Sequence, residues 1–169
     1  ETTKEERQIC GRPLPMLCVW TQDGDLRKCR ACIMGNLQPH DPTQAVWTAQ
    51  AEPSSLFVAL KLSRTRSWTI SKHDVKGAFL TAPIPDGETI VIMPPAAWIK
   101  WGLVRPDVLW TCEKAVYGLR QAPRWWGLDR DSKLRKARWK CKSGSFRLDQ
   151  FNSDSQVWYI REETGDQRL

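Results

Sequence analysis

Apolar residues cluster from Met16 to Met34, MLCVWTQDGDLRKCRACIM, in two β-favouring runs on either side of the polar Asp23-Gly24. Glycine tolerates positive φ there, so the pattern predicts a tight β-hairpin. Three prolines in PHDPTQAVWTAQAEP predict a loop over 39–53 with at most a short ordered piece. In SSLFVALKLSRT, Leu56, Ala59, Leu60 and Ser63 fall at helical spacing, with Ser54 or Ser55 as the capping residue. SWTISKHDV then alternates and ETIVIMPP is a β-branched run stopped by proline. Both predict strands, with TAPIPDG as the turn material between them. VLWTCEKAVY (108–117) predicts another strand. In YGLRQAPRWWGLDRDSKLRKARWK, Pro123 suits the first turn of a helix, and the long side chains after it favour helix despite Gly127. FRLDQFNSDSQVWYI predicts one or two further strands, and REETGDQRL a turn with a ragged end. The order of hairpin, helix, strands, helix, strands gives an α+β fold rather than a regular βαβ repeat.

At 169 residues and 41% hydrophobic content the chain can bury a core, as one domain or as part of a larger one. It has no apolar run of about 18 residues, and ETTKEERQ lacks the apolar stretch of a secretory signal. The expectation is an intracellular chain, cytoplasmic or nuclear, not secreted and with no membrane partner. On that footing the six cysteines read as reduced thiols. Cys29 and Cys32 form one CxxC, with no second, inside a predicted strand that would turn their side chains to opposite faces. Buried or half-buried thiols are the better reading than a zinc site. The net charge of +7 is concentrated: between Arg120 and Lys142 there are nine basic residues against two acidic. Such a strip is a solvated helix face or a set of phosphate contacts, and charge alone does not choose. The ten tryptophans are expected mostly in the core or in helix packing, and none is assigned to nucleic acid.

Asp74 lies where a β-pattern gives way to a turn, in SKHDVKGAFL. Alone it is an ordinary turn aspartate, whose side chain satisfies local backbone donors. Together, however, HDVKGAFL and the later AVYGLRQAPRWW resemble the paired signatures of the reverse transcriptase of Ty1/copia-type retrotransposons. GDLRKCRACIMGNLQ is similar to that family's fingers segment, ETIVIMPP to its strand ending in paired prolines, and SDSQVWYI to the strand before its last catalytic hairpin. The resemblance implies a partial polymerase right-hand fold, fingers and palm, with a mixed antiparallel sheet and packed helices. It spans 16–160, leaving an N-terminal extension (1–15) and a truncated end (161–169).

The implied chemistry is template-directed nucleotidyl transfer assisted by two divalent metals, Mg2+ or Mn2+, in the complete domain. Asp74 would be the catalytic metal ligand, with the Val75 carbonyl as a second oxygen. Gly77 and Ala78 would give a lean backbone against the triphosphate, and Phe79 would lie under the sugar and disfavour a 2′-hydroxyl. Lys28 and Arg30 would grip the triphosphate, and Tyr117 and Gly118 would line the nucleotide pocket. Pro123 would brace the template side, while Arg124, Arg130, Lys133 and Arg135 would meet backbone phosphates without reading bases. The implied partners are an RNA template, a DNA primer, deoxynucleoside triphosphates and the rest of a polyprotein with RNase H and integrase.

The sequence departs from that pattern in one respect above all, for it contains no Asp-Asp dipeptide. Relatives take further carboxylates from a Tyr-x-Asp-Asp hairpin, whereas Tyr159 here precedes IREE. Glu162 and Glu163 have the wrong spacing and longer side chains, so they are not promoted to ligands. The isolated chain is expected to polymerise little or nothing. Two other readings remain at this stage: a degenerate or domesticated nucleic-acid-binding module, and a small zinc domain built on Cys29 and Cys32.

Overall fold

The computed structural model describes residues 12–39, 41–42 and 44–163. Cys10 and the end of the REETGDQRL segment lie outside these residues. The chain divides into two compact units, residues 1–47 with 77–126 and residues 48–76 with 127–169.

In the first unit β1 (Leu14–Asp23) and β2 (Leu26–Ile33) form the predicted hairpin, antiparallel from Met16↔Ile33 to Asp23↔Leu26. The turn residues are Gly24 and Asp25, one position later than the dipeptide suggested. Of the two, Gly24 alone has positive φ (58°), the pattern of a II′ hairpin turn. β1 begins at Leu14, two residues inside the predicted extension. Its first residues run parallel to β3 (Val91–Met93), which pairs antiparallel with β4 (Trp110–Thr111), giving a mixed sheet of order β2-β1-β3-β4. Only the base of the hairpin enters the core. Leu14, Met16 and Ile33 pack with Ile90, Ile92, Ala115, Leu119 and Trp125, whereas Val19, Trp20 and Leu26 are exposed.

Pro94 stops β3 as expected, since proline cannot donate to a ladder. Pro95 then precedes a short helix, Ala96–Lys100. The strand predicted over 108–117 shrinks to Trp110–Thr111 because β3, its partner, offers only three residues. Beyond it the chain keeps single contacts, Cys112 N–H to the Ile90 carbonyl at 2.9 Å and a bridge between Pro83 and Lys114.

The second unit holds helix α1 (Pro53–Thr65), after which come α2 (Ala96–Lys100, in the first unit) and α3 (Ala122–Lys136), whose residues are shared between the units. It also holds the antiparallel sheet β5 (Arg138–Cys141), β6 (Gly144–Gln150), β7 (Trp158–Glu162). α1 forms where helical spacing predicted it, with Pro53 in its first turn. Its expected apolar stripe is not buried: Leu56, Ala59 and Leu60 are exposed, and of the four residues only Ser63 is covered. The helix stops in a Schellman arrangement, with Trp68 N–H on the Ser63 carbonyl, Ser67 N–H on that of Arg64, and Ser67 at φ 53°.

Neither Ser54 nor Ser55 caps α1. The N-cap residue is Glu52, and its N–H donates to Oδ2 of Asp154 at 2.9 Å, a residue 102 positions away. Asp154 Oδ1 accepts from Gln156 N–H at 2.9 Å, and the Ser55 hydroxyl bonds to the same carboxylate. These bonds, the one from Ser55 first, hold the Asp154 carboxyl below its ordinary range. A depressed aspartate contributes stability above its unfolded value and loses it as pH falls through the native one. Urea unfolding is therefore expected to show a fall in midpoint from roughly pH 5 downward that Asp154→Asn flattens. An unchanged acid limb in that variant would remove the tertiary cap from the account.

Three further expectations are corrected. SWTISKHDV is not a strand: residues 68–75 have no regular secondary structure, are exposed and have no ladder partner among the described residues. Alternation states which side chains share a face, but a strand also needs a neighbour for its backbone donors. RWK, read as the end of the second helix, belongs to β5, because pairing with β6 outweighs the helix preference of its long side chains. Arg161 and Glu162, assigned to a turn, close β7, while Glu163 sits beside Arg138 at 2.7 Å.

The cysteines are free thiols among the described residues. Cys29 and Cys32 do point to opposite faces of β2, and no three His, Cys, Asp or Glu side chains converge on a metal position among the described residues. Burial pushes the Cys112 thiol up to about 11, a protonated packing residue. Hydrogen bonds from Ser143 lower the exposed Cys141. Among the described residues no helix is long and apolar enough to cross a membrane.

Candidate nucleotide-binding site

Two of the predicted pocket residues, 38 positions apart in the sequence, meet in the first unit. Phe79 sits in a 3-10 turn (Ala78–Thr81) that begins at Gly77, whose φ of 63° reverses the chain. Its ring centroid lies 5.1 Å from that of Tyr117, with the planes tilted by 57°. That tilted geometry is favourable for aromatic quadrupoles. Phe79 is half-buried against the core, and Tyr117 keeps 37% of its surface. The pair thus presents an apolar ledge with one open side.

The ledge is fixed by backbone contact with the hairpin base. Ile33 N–H donates to the Tyr117 carbonyl at 2.8 Å. Gly118, at φ 97°, lies so close that a Cβ there would stand 1.9 Å from the Ile33 carbonyl oxygen, and a Cβ on Gly35 would stand 1.9 Å from the Gly118 oxygen. Only glycine permits such an approach. Around it runs a chain of amides: Gln38 accepts from Arg120 N–H at 2.9 Å and donates to Gln121 at 2.9 Å. Gln121, buried, donates to Gln44, which reaches Glu88 at 2.9 Å. Gly35, Gln38, Gln44 and Gln121 were not singled out in the sequence. A single glutamine carries no local signal for a partner eighty residues away.

Lys28 and Arg30 lie on one face of β2, opposite Thr21 and Val19, and both are exposed. Arg30 stands three residues from Ile33, about 10 Å along the strand, so the hairpin carries these cations outward from the clamped base. Pro123 occupies the first turn of α3, as expected. Asp74 and Val75 belong to the second unit, on the exposed segment 68–75. Asp74 belongs to no group of three or more His, Cys, Asp or Glu side chains among the described residues.

The basic residues assigned to phosphates are less available than their sequence suggests. Arg130 pairs with Asp131 at 2.7 Å and donates to Gln156, and Lys133 pairs with Asp129 at 2.6 Å, one helical turn away. Arg135 donates to Gln150 at 2.6 Å and covers the Trp158 ring at 5.7 Å. Arg124 reaches the Trp47 carbonyl at 3.4 Å, a weak bond. Both acidic residues of the strip are thus engaged with its own cations. The tryptophans also differ from expectation: Trp125 is buried, Trp98, Trp110, Trp126 and Trp158 are half-buried, and Trp20, Trp47, Trp68, Trp101 and Trp139 are exposed.

Known proteins give this geometry a family. The profile for the reverse transcriptase (RNA-dependent DNA polymerase) family matches residues 13–148. The retrovirus-related Pol polyprotein from transposon RE2 of Arabidopsis thaliana is 32% identical over 110 residues, 63% of this chain and 7% of that protein. The corresponding polyprotein from transposon RE1 of the same plant is 30% identical over an equal stretch. The matched stretch is therefore a small part of the length of these relatives. No solved structure matches the chain significantly. On the strength of the profile and of these two polyproteins, the chain belongs to the reverse transcriptase (RNA-dependent DNA polymerase) family, in its copia-type retrotransposon branch.

Proposed function

We propose that this chain is the fingers and palm segment of a copia-like reverse transcriptase and seats the incoming deoxynucleotide on the Phe79–Tyr117 ledge. The 5.1 Å ring contact, locked by the Gly118 approach to Ile33, is the observation that carries this reading. A flat ring beneath the sugar leaves no room for a 2′-hydroxyl and so favours deoxynucleotides. Lys28 and Arg30 supply charged donors for the triphosphate, and Gly77 and Ala78 let its phosphates approach the backbone. Pro123 and the start of α3 brace the template, with Arg124 the most available of the predicted phosphate contacts. RNA template, DNA primer and a polyprotein context follow from the same reading.

The side chains described do not fit a pair of divalent ions. Two metals ask for several hard oxygen ligands, and no three His, Cys, Asp or Glu side chains converge on one position among the described residues. The right-hand fold, with Asp74 and the Val75 carbonyl as ligands, is thus a reading of the chain within a longer protein. The test is a continuous polypeptide in which a Tyr-x-Asp-Asp hairpin follows this sequence. It is expected to extend a DNA primer on RNA with magnesium and to lose that activity on Asp74→Asn by orders of magnitude, as for groups that act as a unit. Phe79→Ala is expected to admit ribonucleotides. Full activity in the Asp74→Asn protein would remove the metal assignment, and unchanged sugar discrimination in Phe79→Ala would remove the ledge.

A further inference from the structure

The register of the second sheet places three arginines in one cross-strand row. Arg138 on β5 is opposite Arg147 on β6, which is opposite Arg161 on β7. Like charges directly opposite one another destabilise a sheet, so the row calls for counter-charge. Two carboxylates answer it. Asp149 serves both Arg147, at 3.0 Å from Nε, and Arg161, at 2.9 Å, while Glu163 takes Arg138 at 2.7 Å. Asp149 is shared, and Arg147 Nε, though buried, makes no aligned hydrogen bond among the described residues. The guanidinium groups open on a cleft of about 430 Å³ that Arg135 and Tyr159 also line. The side chains of Arg138 and Arg161 remain about half exposed, at 46% and 52%. Phe151, 51% exposed, meets the Tyr159 ring of the cleft edge-on at 5.7 Å and itself lines a neighbouring apolar pocket with Val58 and Leu62.

We propose that this arginine row binds the backbone phosphates of a single-stranded nucleic acid, with the exposed Phe151 ring available to stack a base. Arginine forks take phosphate oxygens in pairs, which supplies the negative charge the row lacks. An aromatic at the edge of a basic groove is the combination that holds unpaired strands. None of these residues was assigned from sequence except Arg135. The inference rests on the reading of the chain as a nucleic-acid binder and adds a surface outside the Phe79–Tyr117 ledge.

Arginine footprinting of the whole chain with phenylglyoxal, mapped by peptide mass, tests it with an oligothymidylate strand as the probe. At a strand concentration about ten times Kd, labelling of Arg138, Arg147 and Arg161 is expected to slow roughly ten-fold. Added salt should relieve that protection. In Arg147→Gln and Arg161→Gln, each variant is expected to lower the salt slope of strand binding by about 0.7. If inorganic tripolyphosphate at matched phosphate protects the row equally, the ligand is a free phosphate compound and the strand assignment is overturned. Protection of Arg120 and Arg124, with the row labelling at its unliganded rate, overturns the cleft and leaves the nucleic-acid reading standing. A strand that protects no arginine overturns both.

Discussion

Gly118→Ala is expected to weaken the first unit severely. At φ 97° alanine carries a backbone cost of about 1–2 kcal/mol. Its Cβ would also stand 1.9 Å from the Ile33 carbonyl oxygen and 2.9 Å from that carbonyl carbon, backbone atoms that cannot rotate away. The hairpin base must move, which breaks the Ile33 to Tyr117 hydrogen bond and shifts the Tyr117 ring from Phe79. The combined loss is about 3 kcal/mol or more, against a total of about 5–15 kcal/mol for an ordinary domain. Gly87→Ala is the matched control: its φ is 86°, but nothing lies within 4 Å of the added Cβ. Urea titration of the two variants separates the causes. Unfolding free energies that agree to within about 0.5 kcal/mol would mean that close approach is not what holds Gly118.

Trp125→Ala comes next in size. The indole is 7% exposed and packs in the core with Leu14, Ile33, Ala115 and Leu119. Truncating a buried tryptophan removes its transfer free energy and leaves a cavity, together about 3–5 kcal/mol. Trp47, 72% exposed, makes the comparison informative, because Trp47→Ala is expected to stay within about 0.5 kcal/mol of the parent. A tryptophan count says nothing of this difference; the side of α3 on which position 125 falls decides it. Equal losses in the two variants would contradict the core described above.

Local signals were legible wherever the local rule and the tertiary contact agree. Glycine after Asp23 set the hairpin, the prolines after Met93 stopped β3, and Pro123 opened a helix. Phe79 and Tyr117 were each marked as pocket residues by resemblance, and the fold brings them together. Illegible features share one cause, a partner far away in the chain. Residues 68–75 have the alternation of a strand and no neighbour among the described residues. RWK has the long side chains of a helix and the register of β6. The basic residues of the predicted phosphate strip looked uniform, yet Arg130 and Lys133 are held by aspartates.

By itself the sequence determined the class of fold, the hairpin, the two long helices and the motifs that carry the family, because these rest on contacts within a few residues and on strings of specific letters. The tertiary structure alone decided that Asp154 would cap a helix 102 residues before it, that Gly35 and Gly118 would touch backbone to backbone, and that three arginines would line up across a sheet. The physical reason is that a cap, a close approach and a cross-strand row are properties of pairs. Neither member bears a mark of the other until folding brings them within a few ångströms.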